Sequence, residues 1–200
     1  MKVLIADGLP ADAVAALERL NLPVEVRHDL KAETLPEALA EAEVLIVRST
    51  KVTAAAVQAA PQLSLIVAAG PGTGGIDLVA ASGRGIYVAH CPGNDAADAV
   101  LSVELFLKTG HPTGTVNLCA RSPAIYRLVV RHLNRVGVLA FILDGLREEN
   151  INVEEMENTI FAGAEAACCS MLLDEPPSDN LLDFFRGNPS VLHAMLNPCE

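Results

Sequence analysis

Positive charge is scarce in this chain. Fourteen lysines and arginines stand against 25 aspartates and glutamates, giving a formal net charge of −11 over 200 residues. Nucleic-acid binding needs basic patches, so the composition argues against that class of function. It argues equally against adhesion to anionic membrane surfaces. Long apolar runs are also missing: no stretch reaches the roughly 18 residues of a membrane span. The amino-terminal MKVLIADG passes straight into a strand pattern, without the apolar core of a secretory leader. Cysteines are few, five in all and in no framework spacing. That pattern reads as reduced thiols in a cytoplasmic protein. Cys168 and Cys169 are adjacent. Neighbours on a strand point to opposite faces, so this pair is expected to pack and not to chelate. No His/Cys cluster has zinc spacing, and no metal site is expected. What remains is 51% hydrophobic and 20% charged, enough apolar material for one large core or two small ones.

The first half alternates short apolar runs with helical spacing. Lys2–Ala6, Val24–Arg27, Val44–Val47, Leu63–Ala69 and Gly85–Ala89 read as strands. Pro10–Leu20, Leu35–Ala42, Thr53–Ala60 and Ile76–Ser82 read as the helices between them. This rhythm predicts a parallel sheet covered on both faces with right-handed crossovers. Asp95–Lys108 is a further helix, Thr115–Cys119 a short extended piece, and Arg121-Ser122-Pro123 a break taken as the domain boundary. Beyond it, Ile125–His132, Asn152–Phe161, Glu165–Asp174 and Val191–Leu196 read as strands. Gly137–Glu149 and Asp179–Arg186, the latter capped by Ser178, read as helices. This is a βαββαβ order of the ferredoxin-like kind. The expected architecture is therefore α/β: a flavodoxin-like parallel-sheet domain over 1–120, then a ferredoxin-like domain over 121–200.

Two loops could carry chemistry in the first half. Ala69-Gly70-Pro71-Gly72-Thr73-Gly74-Gly75-Ile76-Asp77 lies between a strand and a helix, where glycines let main-chain N–H groups approach an anion. It is not a dinucleotide fingerprint. Pro71 removes a donor, and no acidic residue ends a strand about 20 residues on, where a ribose contact needs one. Arg48-Ser49-Thr50-Lys51 follows the strand VLIV, at the carboxyl edge where open α/β sheets bind ligands. Arginine there can take a phosphate or carboxylate in a bidentate contact. Either loop can also be read as a plain turn.

These motifs carry a family resemblance. V-R-S-T-K-V-T at 47–53, A-G-x-G-x-x-x-I-D at 69–77, A-A-S-x-R-G-I-Y-V with C-P-G-N at 80–94, and F-L-K-T-G-x-x-x-x-T-V-N-L at 106–118 resemble phosphoglycerate dehydrogenases. These are NAD-dependent D-specific 2-hydroxyacid dehydrogenases of serine biosynthesis. Residues 125–197 are similar to the family's carboxyl-terminal ACT regulatory domain. The resemblance implies that the family's cofactor domain is missing near 96–105, where about ten residues stand in its place. No catalytic residue, no cofactor-binding residue and no bound cofactor are then expected, and His90 and His111 are bystanders. Arg48, Ser49, Gly70 and Gly72 match the family's substrate contacts. Binding there is expected to be weak, because Ala68 replaces an arginine and the cofactor domain would form the other wall.

The same resemblance assigns an effector site. His132, Asn134 and Asn152 match the histidine and two asparagines that hold L-serine between two ACT domains in serine-inhibited relatives. An amide can donate and accept toward an amino acid's charged groups. The plainer reading makes Asn134 a helix cap and His132 a rim residue. The expected function is binding of L-serine or another small amino acid by a shortened, self-associating relative, a homodimer without hydride transfer of its own. The alternative is a contribution to 3-phosphoglycerate oxidation in a mixed oligomer with a full-length dehydrogenase.

Overall fold

The computed structural model describes residues 1–91 and 96–199. Pro92–Asn94 of the C-P-G-N motif and the expected helix start at Asp95 lie outside the described residues. The chain divides into two compact units, Met1–Leu118 and Cys119–Glu200.

In the first unit, β1 (Val3–Ile5), β2 (Val24–Val26), β3 (Val44–Val47), β4 (Leu65–Ala68) and β5 (Tyr87–His90) form one parallel sheet of order β2-β1-β3-β4-β5. This is the flavodoxin-type order. Every residue of β1, β3 and β4 is buried, as expected of strands covered on both faces. Alternate side chains enter two cores. Leu4, Leu45, Ile66 and Val88 pack with α2 (Leu35–Ala38), α3 (Ala54–Gln58) and α4 (Leu78–Gly83). Val3, Ile46, Val67 and Ala89 pack with α1 (Ala11–Glu18) and α5 (Ala96–Thr109).

Helix α5 packs beside α1 on one face of this sheet. It buries Ala99 and Val103 in the core on that face, and the buried Ser102 donates its hydroxyl to the Thr113 carbonyl at 3.2 Å. The chain then returns along β5. His90 N–H donates to the Gly114 carbonyl and Val116 N–H to the Val88 carbonyl, both at 2.9 Å. The Asn117 amide accepts from Val88 N–H and donates to the Ile86 carbonyl, each at 2.8 Å. A side chain thus completes the pairing that the main chain begins. α2 is shorter than the expected Leu35–Ala42, ending at Ala38 with a tight turn that keeps Leu39 and Ala42 in the core.

The second unit is an antiparallel sheet of order β7-β8-β6-β9, from β6 (Tyr126–Leu133), β7 (Val153–Ile160), β8 (Ala166–Leu173) and β9 (Val191–Pro198). Helices α6 (Val138–Glu148) and α7 (Asp179–Gly187) complete the βαββαβ order. Ser178 Oγ accepts from Leu181 N–H and caps α7. β8 alternates buried and half-buried residues. Cys169 enters the core and Cys168 faces outward, and burial pushes the Cys169 thiol up to about 11. Among the described residues no helix is long and apolar enough to cross a membrane.

Candidate functional site

The two motif loops of the first unit leave the same edge of the sheet and meet. Val52 N–H donates to the Gly75 carbonyl and Asp77 N–H to the Val52 carbonyl, each at 2.9 Å. A cleft of about 410 Å³ lies between them, lined by Arg48, Ser49, Thr50, Gly72, Gly74 and others. Arg48 is exposed, and among the described residues no ion pair engages its guanidinium.

The amides beneath it already hold an anion belonging to the chain. Asp7, just past β1, accepts from the N–H groups of Arg48 (2.8 Å), Ser49 (3.1 Å) and Thr50 (3.1 Å), and from Ser49 Oγ (2.8 Å). Three consecutive N–H groups converging on a carboxylate form an anion nest. Burial pushes the Asp7 carboxyl up, but these donors outweigh it and bring it down to about 2. Asp7 belongs to none of the sequence motifs and directly follows the apolar run of β1. The available signal was an acidic residue ending β1, beside a strand that ends in a cation and two hydroxyls.

Among the expected substrate residues, Arg48 and Gly72 line the cleft and Ser49 borders it with its hydroxyl committed to Asp7. Gly70 has a different use: a Cβ there would overlap the Arg48 carbonyl oxygen. It lets the two loops approach, and its own carbonyl lies 3.2 Å from His90 Nε2. The first turn of α4 is closed by Asp77, whose carboxylate accepts from Ala80 N–H at 2.9 Å. Arg84, in the A-A-S-x-R-G motif, donates to the carbonyls of Val57, Ala60 and Pro61 and ties off the end of α3.

In the second unit His132 is 2% exposed, so it is a core residue and not a rim residue. Its Nδ1 lies 2.8 Å from the Leu133 carbonyl, and its Nε2 lies 3.2 Å from Asn158 Oδ1 on β7. Asn134 does not cap α6. Gly137 is the N-cap, with φ of 90°. The Asn134 amide instead donates to the Ala164 carbonyl at 2.9 Å and fixes the β7–β8 turn. Asn152 donates to Glu154 through its side chain and to Asp174 through its N–H, each at 2.8 Å. It borders a depression of about 460 Å³ with Arg147, Asn150 and Asp174.

The register separates these three residues. Val153 pairs with Leu173 and Leu173 with Tyr126, so Asn152 sits at the Tyr126 end of the sheet. His132 and Asn134 lie at the other end, one strand length away, roughly 24 Å. One chain brings His132 and Asn134 together but not Asn152.

The D-isomer specific 2-hydroxyacid dehydrogenase catalytic-domain family matches residues 3–189, and the chain belongs to that family. It is 38% identical over 109 residues to the D-3-phosphoglycerate dehydrogenase of Archaeoglobus fulgidus, covering 54% of this chain and 21% of that protein. It is 38% identical over 122 residues to the enzyme of the same name from Methanocaldococcus jannaschii, covering 59% and 23%. The corresponding figures for the Homo sapiens protein are 39% over 108 residues, 53% and 20%. The chain thus spans about a fifth of the length of these relatives.

Proposed function

We propose that this chain is a shortened relative of the phosphoglycerate dehydrogenases that binds L-serine between two copies of its second unit, an ACT domain, and does not transfer hydride on its own. One observation carries the reading: the split of His132 and Asn134 from Asn152 across the sheet. Among the described residues β7 is an edge strand, paired with β8 alone. Antiparallel pairing of β7 with its copy about a two-fold axis carries Asn152 of one protomer to the Ile160 end of the other. His132 and Asn134 lie toward that end, so a two-chain site collects all three residues.

The first unit supports the absence of hydride transfer. Its glycine loop does not suit a dinucleotide diphosphate. Pro71 has no N–H to offer, Gly70 is pressed against Arg48, and the first turn of α4 is capped by Asp77. The nest at Arg48–Thr50 is filled by Asp7. Arg48 is left as the principal anion-binding group of the cleft, consistent with weak substrate binding.

The test is calorimetric titration of L-serine into the whole chain, beside Asn134→Ala and Asn152→Ala. Both side chains are exposed, so these variants probe binding with less disturbance of the core than replacement of the buried His132. Heat with the wild type that both variants abolish is the expected result. Heat that survives Asn152→Ala would remove the two-chain site, and no heat from folded wild type would remove the serine reading.

A further inference from the structure

Among the described residues, Ser102 and His132 are the buried polar side chains. His132 lies on the face of the second unit's sheet that packs against α6 and α7. Cross-strand register sets out that face in rows. Met156, Met171 and Leu128 form one; Asn158, Cys169 and Val130 the next; Ile160, Ala167 and His132 the third. On β8 and β6 every member of these rows is buried, and His132 carries the one strongly hydrogen-bonding side chain. On β7, Met156 and Ile160 are 47% and 53% exposed, and the exposed Asn158 stands between them as the polar member of the three.

These two polar residues are bonded to each other across a strand. β8 runs between β6 and β7, and its residue opposite His132 is Ala167. That small side chain leaves the imidazole room to cross. Nε2 reaches Asn158 Oδ1 at 3.2 Å, and Nδ1 lies 2.8 Å from the Leu133 carbonyl. A position that needed only filling would take an apolar side chain, as Leu128 and Val130 do; a buried imidazole needs a partner at each nitrogen. The two ends of the pair differ in access. His132 is 2% exposed, whereas Asn158 is exposed, so a ligand arriving here meets Asn158 first. With one end of the amide turned to Nε2, the other end is left for that ligand. An NH2 group turned outward suits a carboxylate, and an oxygen turned outward suits an ammonium. An amino acid carries both groups.

We infer that Asn158 is a ligand-contacting residue of the effector site, and that the buried His132 is a positioning residue acting through it. The inference rests on the serine reading given above and adds a residue to it. Asn158 precedes Ile160 on β7, the end of the strand to which the proposed two-fold pairing brings Asn152 of the second copy. Asn134 belongs to the same neighbourhood, since its amide holds the Ala164 carbonyl in the turn that joins β7 to β8. The imidazole sets the direction of the Asn158 amide before the ligand arrives, so less side-chain ordering is left to oppose binding. A residue as buried as His132 thereby influences a ligand that it does not touch.

The experiment adds L-serine to the whole chain and follows it by calorimetry and by NMR of the Asn158 side-chain amide, assigned by triple resonance. That amide signal is expected to shift in step with the bound fraction. Asn158→Leu is expected to weaken serine binding about tenfold, the scale of one hydrogen bond to a charged group, with an unchanged circular-dichroism spectrum. Asn158→Gln keeps the amide and is expected to recover most of the loss. Adding His132→Gln to Asn158→Leu should weaken binding little further, because the contact through which His132 acts is already gone. Heat from the wild type with a stationary Asn158 amide signal, or with Asn158→Leu binding as tightly as the wild type, overturns this inference and leaves the serine reading standing. Fully additive losses give His132 a contact of its own and overturn its positioning role. No heat from the folded wild type removes both. The amide signal requires only the wild-type fold, so it decides the matter where a variant does not fold.

Discussion

The sheet of the first unit is covered on both faces, and the donors at its carboxyl edge are closed by the chain's own Asp7. The sheet of the second unit keeps one face and two edges open, and its candidate binding residues lie at opposite ends. Both are α/β units, yet β1, β3 and β4 of the first are apolar and buried throughout, whereas β7 of the second is polar and largely exposed. A parallel sheet with helices on both sides has little left to offer except its strand ends. An antiparallel sheet with helices on one side must either solvate the other side or share it.

Glycine substitutions should expose this difference most strongly. At Gly70 the obstacle to a Cβ is the Arg48 main chain, which cannot turn aside. Gly70→Ala is therefore expected to cost about 3 kcal/mol, at the upper end for overpacking. The first unit's transition in a urea titration reads this; an unchanged midpoint would refute the close packing of the two loops.

The Asp7 latch is next. Asp7→Asn removes a charged acceptor from three amides and a hydroxyl, a loss of about 2 kcal/mol. The pH dependence gives a second reading. The carboxyl is lowered from an ordinary 3.8 to about 2 in the folded chain. A depressed carboxyl stabilises fully above its unfolded value, and that contribution is lost as pH falls through the folded value. Stability of the wild type should fall between pH 3.8 and about 2, and Asp7→Asn should flatten that part of the curve. Equal slopes for the two proteins would show that the latch is not holding the loop.

The second unit should respond more gently to the equivalent insult. A Cβ on Gly145 in α6 would come within 2.6 Å of the Phe185 ring and 2.9 Å of Leu181. Those are side chains that can shift, and alanine also gains about 0.5–1 kcal/mol over glycine in a helix. Gly145→Ala is expected to cost about 1 kcal/mol net, measured by thermal unfolding beside Gly70→Ala. A larger loss at Gly145 than at Gly70 would invert the comparison. The smallest effect belongs to Asn134→Ala, which releases the Ala164 carbonyl at an exposed turn, about 0.5–1 kcal/mol. Its stability change should be slight while its serine titration fails.

The sequence by itself determined the elements and their kinds. Val44–Val47 and Leu65–Ala68 are apolar on both faces, which marks strands of a covered parallel sheet before any contact is known. Thr53, Asp77 and Ser178 cap helices through contacts only three residues away, to Ala56, Ala80 and Leu181. Local partners of this kind are written in the chain order. The tertiary structure alone decided what joins distant segments. Asp7 finds the amides at 48–50 because β1 and β3 are neighbours, Gly70 is required because the Arg48 backbone passes beside it, and Asn134 holds Ala164 instead of capping α6. Sheet register, which no single segment encodes, also placed Asn152 a strand's length from His132 and set Arg131 beside Cys168 and His193. Periodicity states which face a side chain takes; only pairing between strands states what lies beside it.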